Sequence, residues 1–209
     1  ARTLTELLFN DEKSLIRVDM SEYMERHTVS KFIGSPPGYV GHEEGGQLTE
    51  LIRHRPYSVL LFEEMEKAHP DVFNIMLQIL DNGRLTDAKG RHVNFKNAVI
   101  IMTSNVGSEF VSELETLGFA TEEKNAEKKQ SELKGKIRKS LEKRFRPEFL
   151  NRLDEIIVFN TLSEQELATI VNIQLERVGE RLAKKGIKLH VSKEAAALLG
   201  ATDRQIYRW

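Results

Sequence analysis

There is no cysteine in this sequence. A disulfide framework and a thiolate-held metal are therefore excluded, and the absence fits a reducing compartment. Neither sign of charge is in surplus: 31 Lys and Arg stand against 32 Asp and Glu, a net charge of -1. That balance leaves no electrostatic footprint for nucleic acid or a membrane surface. No apolar run approaches the ~20 residues that cross a bilayer. The opening ARTLTELLFN lacks the basic start, apolar stretch and cleavage site of a secretory signal. Internal repeats and low-complexity tracts are missing as well. The expectation from these absences is a cytoplasmic globular protein.

What is present fits that class. The chain has 209 residues, 40% hydrophobic and 30% charged, enough for one large domain and part of a second. Short apolar runs recur at 14–20, 57–64, 97–105 and 155–162. Runs this short and this apolar predict strands buried on both faces, as in a parallel sheet. Between them, residues 69–83 carry Val72, Phe73, Met76, Leu77 and Leu80 on one helical face and end in Asn-Gly. Strands alternating with helices predict a doubly wound α/β sheet whose ligands bind beyond the carboxyl ends of the strands. From 122 to 144, Leu133, Ile137 and Leu141 recur at four-residue spacing amid Lys, Glu and Gln, the pattern of a solvated amphipathic helix. Ser163 and Glu166 have the spacing of a capping box and open a further helix that runs to Gly186. The domain boundary is expected near Thr161.

Three strand ends carry polar residues suited to chemistry. Glu63 and Glu64 close the second run. Adjacent acids there form either a solvated strand end or a metal-linked carboxylate beside a base that polarises water, the two roles that phosphoryl transfer needs. Asn105 closes the third run as a turn former, or as a holder of water or a terminal phosphate. Arg152 precedes the fourth run, as a surface ion-pair partner or as a guanidinium that stabilises transition-state charge. The loop SPPGYVGHEEGG, residues 35–46, is too rich in Gly and Pro for core, yet carries Tyr39 and Val40 between Gly38 and Gly41.

Taken in order and spacing, three segments carry a resemblance that no single motif does. They are IRVDMSEYMERHTVSKFIGSPPGYVGHEEGGQLTELIRHRPYSVLLFEEMEKAHPDVFNIMLQILDNGRLTD, VIIMTSNVGS and FRPEFLNRLDEIIVF. The chain resembles the second ATPase module of the Clp/Hsp100 class of AAA+ unfoldases, up to about Leu162. The resemblance implies a P-loop NTPase-type α/β fold over 1–161, lacking its Walker A segment, followed by the incomplete start of a small helical lid domain over 162–209. It implies ATP and Mg²⁺ as ligands, with LLFEE at the Walker B position. Glu64 is then the water-activating glutamate, Glu63 a Mg²⁺ contact through water, Asn105 the γ-phosphate sensor, and Arg152 an arginine finger acting on a neighbour in a homohexameric ring. The loop at Gly38, Tyr39, Val40 and Gly41 resembles an axial pore loop that grips unfolded polypeptide. Glycines let it project and Tyr39 offers an apolar plane. GRLTDAKGR, residues 83–91, resembles a second loop near the pore.

The family places a Gly-Lys-Thr phosphate loop upstream of a segment like ARTLTELL and a Gly-Ala-Arg motif beyond ATDRQIY; the sequence contains neither. Walker B in the family reads Asp-Glu, whereas here it reads Glu63-Glu64. Leu117, Gly118 and Phe119 resemble the peptidase-docking tripeptide of ClpC-type members. The expectation is therefore ATP-driven unfolding that feeds a ClpP-type peptidase, with adaptor proteins as further partners and no nucleic acid or membrane. The alternatives are a ClpB-type disaggregase without peptidase, and a non-hydrolysing scaffold.

Overall fold

The computed structural model describes residues 1–35, 38, 45–110, 123–159, 162, 164–192, 194–196 and 198–199. The backbone divides into two compact units, Ala1–Val158 and Phe159–Trp209.

The first unit is built on a parallel sheet. Strands β1 (Leu15–Asp19), β2 (Val59–Glu63) and β5 (Val99–Met102) lie in the order β1-β2-β5. Leu15 pairs with Val59 and Asp19 with Glu63; Val59 pairs with Val99 on the other side. A two-stranded antiparallel hairpin, β3 (Arg84–Thr86) and β4 (His92–Asn94), interrupts the path from β2 to β5. Helix α1 (Arg2–Phe9) precedes β1, and α2 (Arg26–Ile33), α3 (Gln47–His54) and α4 (Pro70–Asn82) fill the connections. Helices α5 (Glu123–Arg144) and α6 (Pro147–Leu150) follow the last strand.

The three strands are not buried alike. β2, in the middle, is buried at four consecutive residues, Val59 to Phe62. β1 alternates, with Ile16 and Val18 inward and Arg17 and Asp19 outward, and β5 is half-buried throughout. Burial along the whole strand holds for β2, which among the described residues is the one strand of this sheet paired on both edges. The fourth run is a correction: residues 155–159 form no strand. Ile156 and Ile157 are exposed, and among the described residues no ladder partner lies beside them.

Helix α4 begins where Pro70 meets a His69 cap whose ring Nδ1 accepts the Asp71 amide at 3.1 Å. It ends at Gly83, where φ is 61°. Its buried face is centred on Val72, Ile75, Met76 and Ile79, one step around from the sequence expectation. Phe73, Leu77 and Leu80 flank it, packed partly buried against the core. That core joins Met20, Phe32, Leu60, Phe62, Val72 and Met76, each essentially removed from water. Full burial of one such side chain contributes about 1.5–3 kcal/mol. In the second unit, α7 (Glu164–Ala183) buries Leu167 and Val171 four residues apart, as an amphipathic helix does.

Candidate active site

The carboxyl ends of β2 and β5 bring together the polar residues that close the second and third runs. Thr103 is the hinge of this arrangement. Its amide donates to the Phe62 carbonyl at 2.9 Å, and its own carbonyl accepts the Met65 amide at 3.0 Å. Its hydroxyl accepts the Glu64 amide at 3.4 Å. The chain after β2 is thus fixed to the chain after β5 on both sides of Glu64.

Glu64 itself has φ 58° and ψ 49°, the left-handed region. A non-glycine residue there costs about 1–2 kcal/mol and persists only where its surroundings over-determine it. The Thr103 contacts and the single 3-10 turn Met65–Lys67 that follows provide those surroundings. The turn also supplies Lys67, whose ammonium lies 2.8 Å from Glu64 Oε2. That hydrogen bond, with the Glu64 charge, raises the Lys67 pKa above its ordinary value. The Glu64 side chain stays 35% exposed, so it is open to a water or a ligand.

Glu66 continues the connection. Its Oε1 accepts the Asn105 amide at 3.3 Å, and its carbonyl accepts the Arg144 guanidinium from the end of α5. Asn105 is thereby held by its backbone while its side chain is exposed. The structure brings Glu63, Glu64 and Asn105 to one edge of the sheet, as the sequence predicts. Glu66 and Lys67 were not singled out from sequence. Their signal is their spacing alone, two and three residues past Glu64 in a tight turn.

Glu63 is engaged by a residue that sequence reasoning missed. Arg17 on β1 donates to both of its carboxylate oxygens, Nε to Oε2 at 3.0 Å and Nη2 to Oε1 and Oε2 at 3.0 and 2.6 Å. The parallel register explains it: Arg17 stands opposite Leu61, two residues before Glu63, on the same outward face. Next to it, Asp19 accepts the Ser21 hydroxyl and amide at 2.6 and 2.8 Å, which hold its pKa below the ordinary carboxylate value. An Arg and an Asp alternating in an otherwise apolar run was the available signal.

The donor chemistry of this edge fits Mg²⁺. Glu63 and Glu64 are hard oxygen donors, both part-exposed. Among the described residues no three candidate ligands cluster. Mg²⁺ does not require such a cage, since it is held by one or two carboxylates, waters and substrate phosphates.

Arg152 is not part of this edge. Its Nε lies 2.5 Å from Asp81 Oδ1 at the far end of α4. Glu64 precedes the start of the same helix, and the eleven steps from Pro70 to Asp81 rise about 17 Å. An aromatic cluster locates Arg152 there: the rings of Phe73, Phe145 and Phe149 stand 5.2–6.0 Å apart, pinning α6 to α4. Tyr39, Val40, Gly41, Leu117, Gly118 and Phe119 lie outside the described residues, as does Ser163. Gly38 is described and has φ 89°. Among the described residues no helix is long and apolar enough to cross a membrane.

Residues 1–156 match the family described as AAA domain (Cdc48 subfamily), and residues 162–205 match the C-terminal D2-small domain of ClpB protein. A relative named probable chaperone protein ClpB 1, from Chlorobaculum tepidum, is 57% identical over 97% of this chain and 45% of its own length. One named ATP-dependent Clp protease ATP-binding subunit ClpA homolog, from Cyanidium caldarium, is 53% identical over 95% of this chain and 24% of its own length. Among solved structures, a closed-state reconstruction of Hsp104 with ATPyS and FITC casein matches with TM-score 0.77 and 43% identity. That match covers 96% of this chain and 33% of the other. This chain therefore spans less than half the length of the curated relatives it matches. With the parallel sheet, the acidic strand end and these matches together, the chain belongs to the AAA domain family and has the AAA+ fold.

Proposed function

We propose that this chain is the ATP-hydrolysing second module of a ClpB-type protein-unfolding ring. The observation that carries the reading is the joining of Glu64 and Asn105 at the carboxyl ends of neighbouring strands through Thr103 and Glu66. Ligands of open α/β sheets bind at that edge. The names of the relatives favour the ClpB-type reading over the ClpC-type one.

In this reading Glu64 takes a proton from the attacking water. The Thr103 contacts hold its left-handed backbone, and Lys67 restrains its carboxylate. Asn105 donates to the terminal phosphate. Glu63 would hold Mg²⁺ through water, and the ion when bound with the nucleotide would neutralise phosphate charge. Arg152 acts on the site of a neighbouring subunit, which its position at the far end of α4 from Glu64 supports. Tyr39 and Val40 grip unfolded polypeptide in the axis of a hexamer. A second reading, in which Leu117, Gly118 and Phe119 dock a ClpP-type peptidase, is favoured by the Clp protease subunit names among the relatives.

Glu64→Gln tests the reading, because it keeps the size and removes the base. In the native full-length protein, ATP binding persists and turnover at this module falls about 10²-fold or more. Recovery of activity from an aggregated reporter enzyme falls with it. Unchanged turnover, measured with any other ATPase module disabled, removes Glu64 from the role and leaves the non-hydrolysing scaffold in its place.

A further inference from the structure

Both ends of the segment that carries Tyr39 converge on one point. Helix α2 ends at Ile33 and Gly34, and α3 starts after Gly45 and Gly46. The two ends touch backbone to backbone: a Cβ on Gly46 would fall 2.3 Å from the Ile33 carbonyl carbon. Only glycine permits that approach. A Cβ on Gly34 would fall 3.1 Å from the Gly46 nitrogen and 3.2 Å from the Ala88 Cβ.

Ala88 belongs to the turn between β3 and β4, and it is bound to the same point. Its amide donates to the Ile33 carbonyl at 2.9 Å. The turn is stiffened from within by Asp87, whose side chain is 1% exposed. Asp87 accepts the amides of Lys89 and Arg91 at 2.9 and 2.8 Å and Arg91 Nε at 2.6 Å. Arg91 then reaches out of the turn. Its Nη2 bridges Asp87 at 2.6 Å and the Glu50 carboxylate on the first turn of α3. Glu50 in turn leans on the loop end, where a Cβ on Gly45 would fall 2.8 Å from its Oε1.

We propose that Arg91 is a positioning residue for substrate gripping: through Glu50, and through the turn whose Ala88 amide holds the Ile33 carbonyl, it ties the 87–91 turn to the helix ends on both sides of the Tyr39 segment. The proposal rests on the reading of Tyr39 as the gripping residue. The physical argument is connectivity. Glu50 ties the turn to the exit of the segment, Ala88 ties it to the entry, and Arg91 joins the two through a carboxylate that is almost fully buried. A guanidinium can satisfy two carboxylates at once with a planar fork, whereas an ammonium is a point charge. The turn therefore cannot shift without dragging α3 and the end of α2 with it.

The test uses the native full-length protein and three variants, Glu50→Gln, Arg91→Lys and Arg91→Met. Hydrogen exchange followed by mass spectrometry reads the coupling directly. ATP-driven unfolding of a fluorescent reporter protein, per ATP hydrolysed, reads its consequence. Glu50→Gln and Arg91→Lys both leave a partner for Asp87, so the fold and basal ATP turnover are retained. The Ala88 amide and the first turn of α3 nevertheless exchange about tenfold faster, the change one weakened charged hydrogen bond makes in a local opening equilibrium, and unfolding per ATP falls. Arg91→Met gives the same loss with a lower thermal midpoint. Wild-type exchange at Ala88 and wild-type unfolding per ATP in Glu50→Gln overturn the coupling. So does an equal fall in ATP turnover and unfolding in the two milder variants, because that is general destabilisation. Tyr39→Ala is run alongside: normal unfolding in that variant removes the gripping reading, while the exchange result still decides the coupling.

Discussion

At the scale of the residue, the Arg17 clamp on Glu63 bears on the unusual Glu-Glu pair. A glutamate has one methylene more than the aspartate the family places here, about 1.5 Å of extra reach. In this structure that reach is directed sideways, to the guanidinium on the next strand. Side chains are 54% exposed for Arg17 and 29% for Glu63, so the pair contributes little to stability, under about 1 kcal/mol. Its effect is on where the Glu63 carboxylate stands. Arg17→Met is thus expected to leave the thermal midpoint within a few degrees of wild type while ATP turnover changes by about fivefold or more. Thermal unfolding and turnover on the same preparation check it. A large fall in the midpoint with unaltered turnover per folded molecule assigns Arg17 to stability instead.

At the scale of the element, two packings decide how the functional segments are presented. The first is the Phe73–Phe145–Phe149 cluster, which fixes α6 on α4 and with it Arg152. Phe149 is 3% exposed. Phe149→Ala removes a buried ring and leaves a cavity, and is expected to cost about 3–5 kcal/mol in denaturant unfolding. The second is the hairpin turn on α3. The Arg91 guanidinium bonded to Glu50 holds its pKa low. For Asp87, burial pushes upward, but the bonds from the Arg91 amide and guanidinium outweigh it and the net pKa is lowered. Both folded values lie below the unfolded ones, so this stabilisation is fully present above the ordinary carboxylate range, ~3.9–4.3. It is lost as pH falls through the lowered values. Unfolding free energy measured from pH 7 to pH 2 should therefore drop at the acid end, and Asp87→Asn should flatten that drop while lowering stability at neutrality.

At the scale of the whole molecule, the question is where Arg152 works. Within one chain it is ion-paired with Asp81 at the opposite end of α4 from Glu64. Two proteins that each carry a single change, Arg152→Ala and Glu64→Gln, make the test. If Arg152 completes a neighbour's site, mixed assemblies of the two regain turnover above the weighted mean of the pure variants, since an Arg152→Ala subunit keeps its own Glu64 and receives the intact Arg152 of a Glu64→Gln neighbour. Turnover equal to the weighted mean of the two pure variants places Arg152 in its own subunit's site and weakens the ring. The ATP-bound assembly size, measured by light scattering, reports the ring independently.

The sequence by itself determined the class of fold and the edge of the sheet where Glu63, Glu64 and Asn105 gather. Its apolar runs place β1, β2 and β5, and the polar residues Glu63, Glu64 and Asn105 close the second and third of those runs. Both follow from local facts: a buried strand must be apolar along its length, and a residue just past its end escapes that demand. The apolar run at 155–162 misled for the same reason, because composition alone cannot supply a ladder partner. What only the tertiary structure decided is pairing. Arg17 with Glu63 is separated by 46 residues and Arg91 with Glu50 by 41. The chain around Arg17 marks it as facing outward, but nothing local names Glu63 as its partner, nor Glu50 as that of Arg91. Register, two residues out of step across a parallel pair, selected the first. The close approach of two glycine-bearing loop ends, which seats the turn over α3, selected the second.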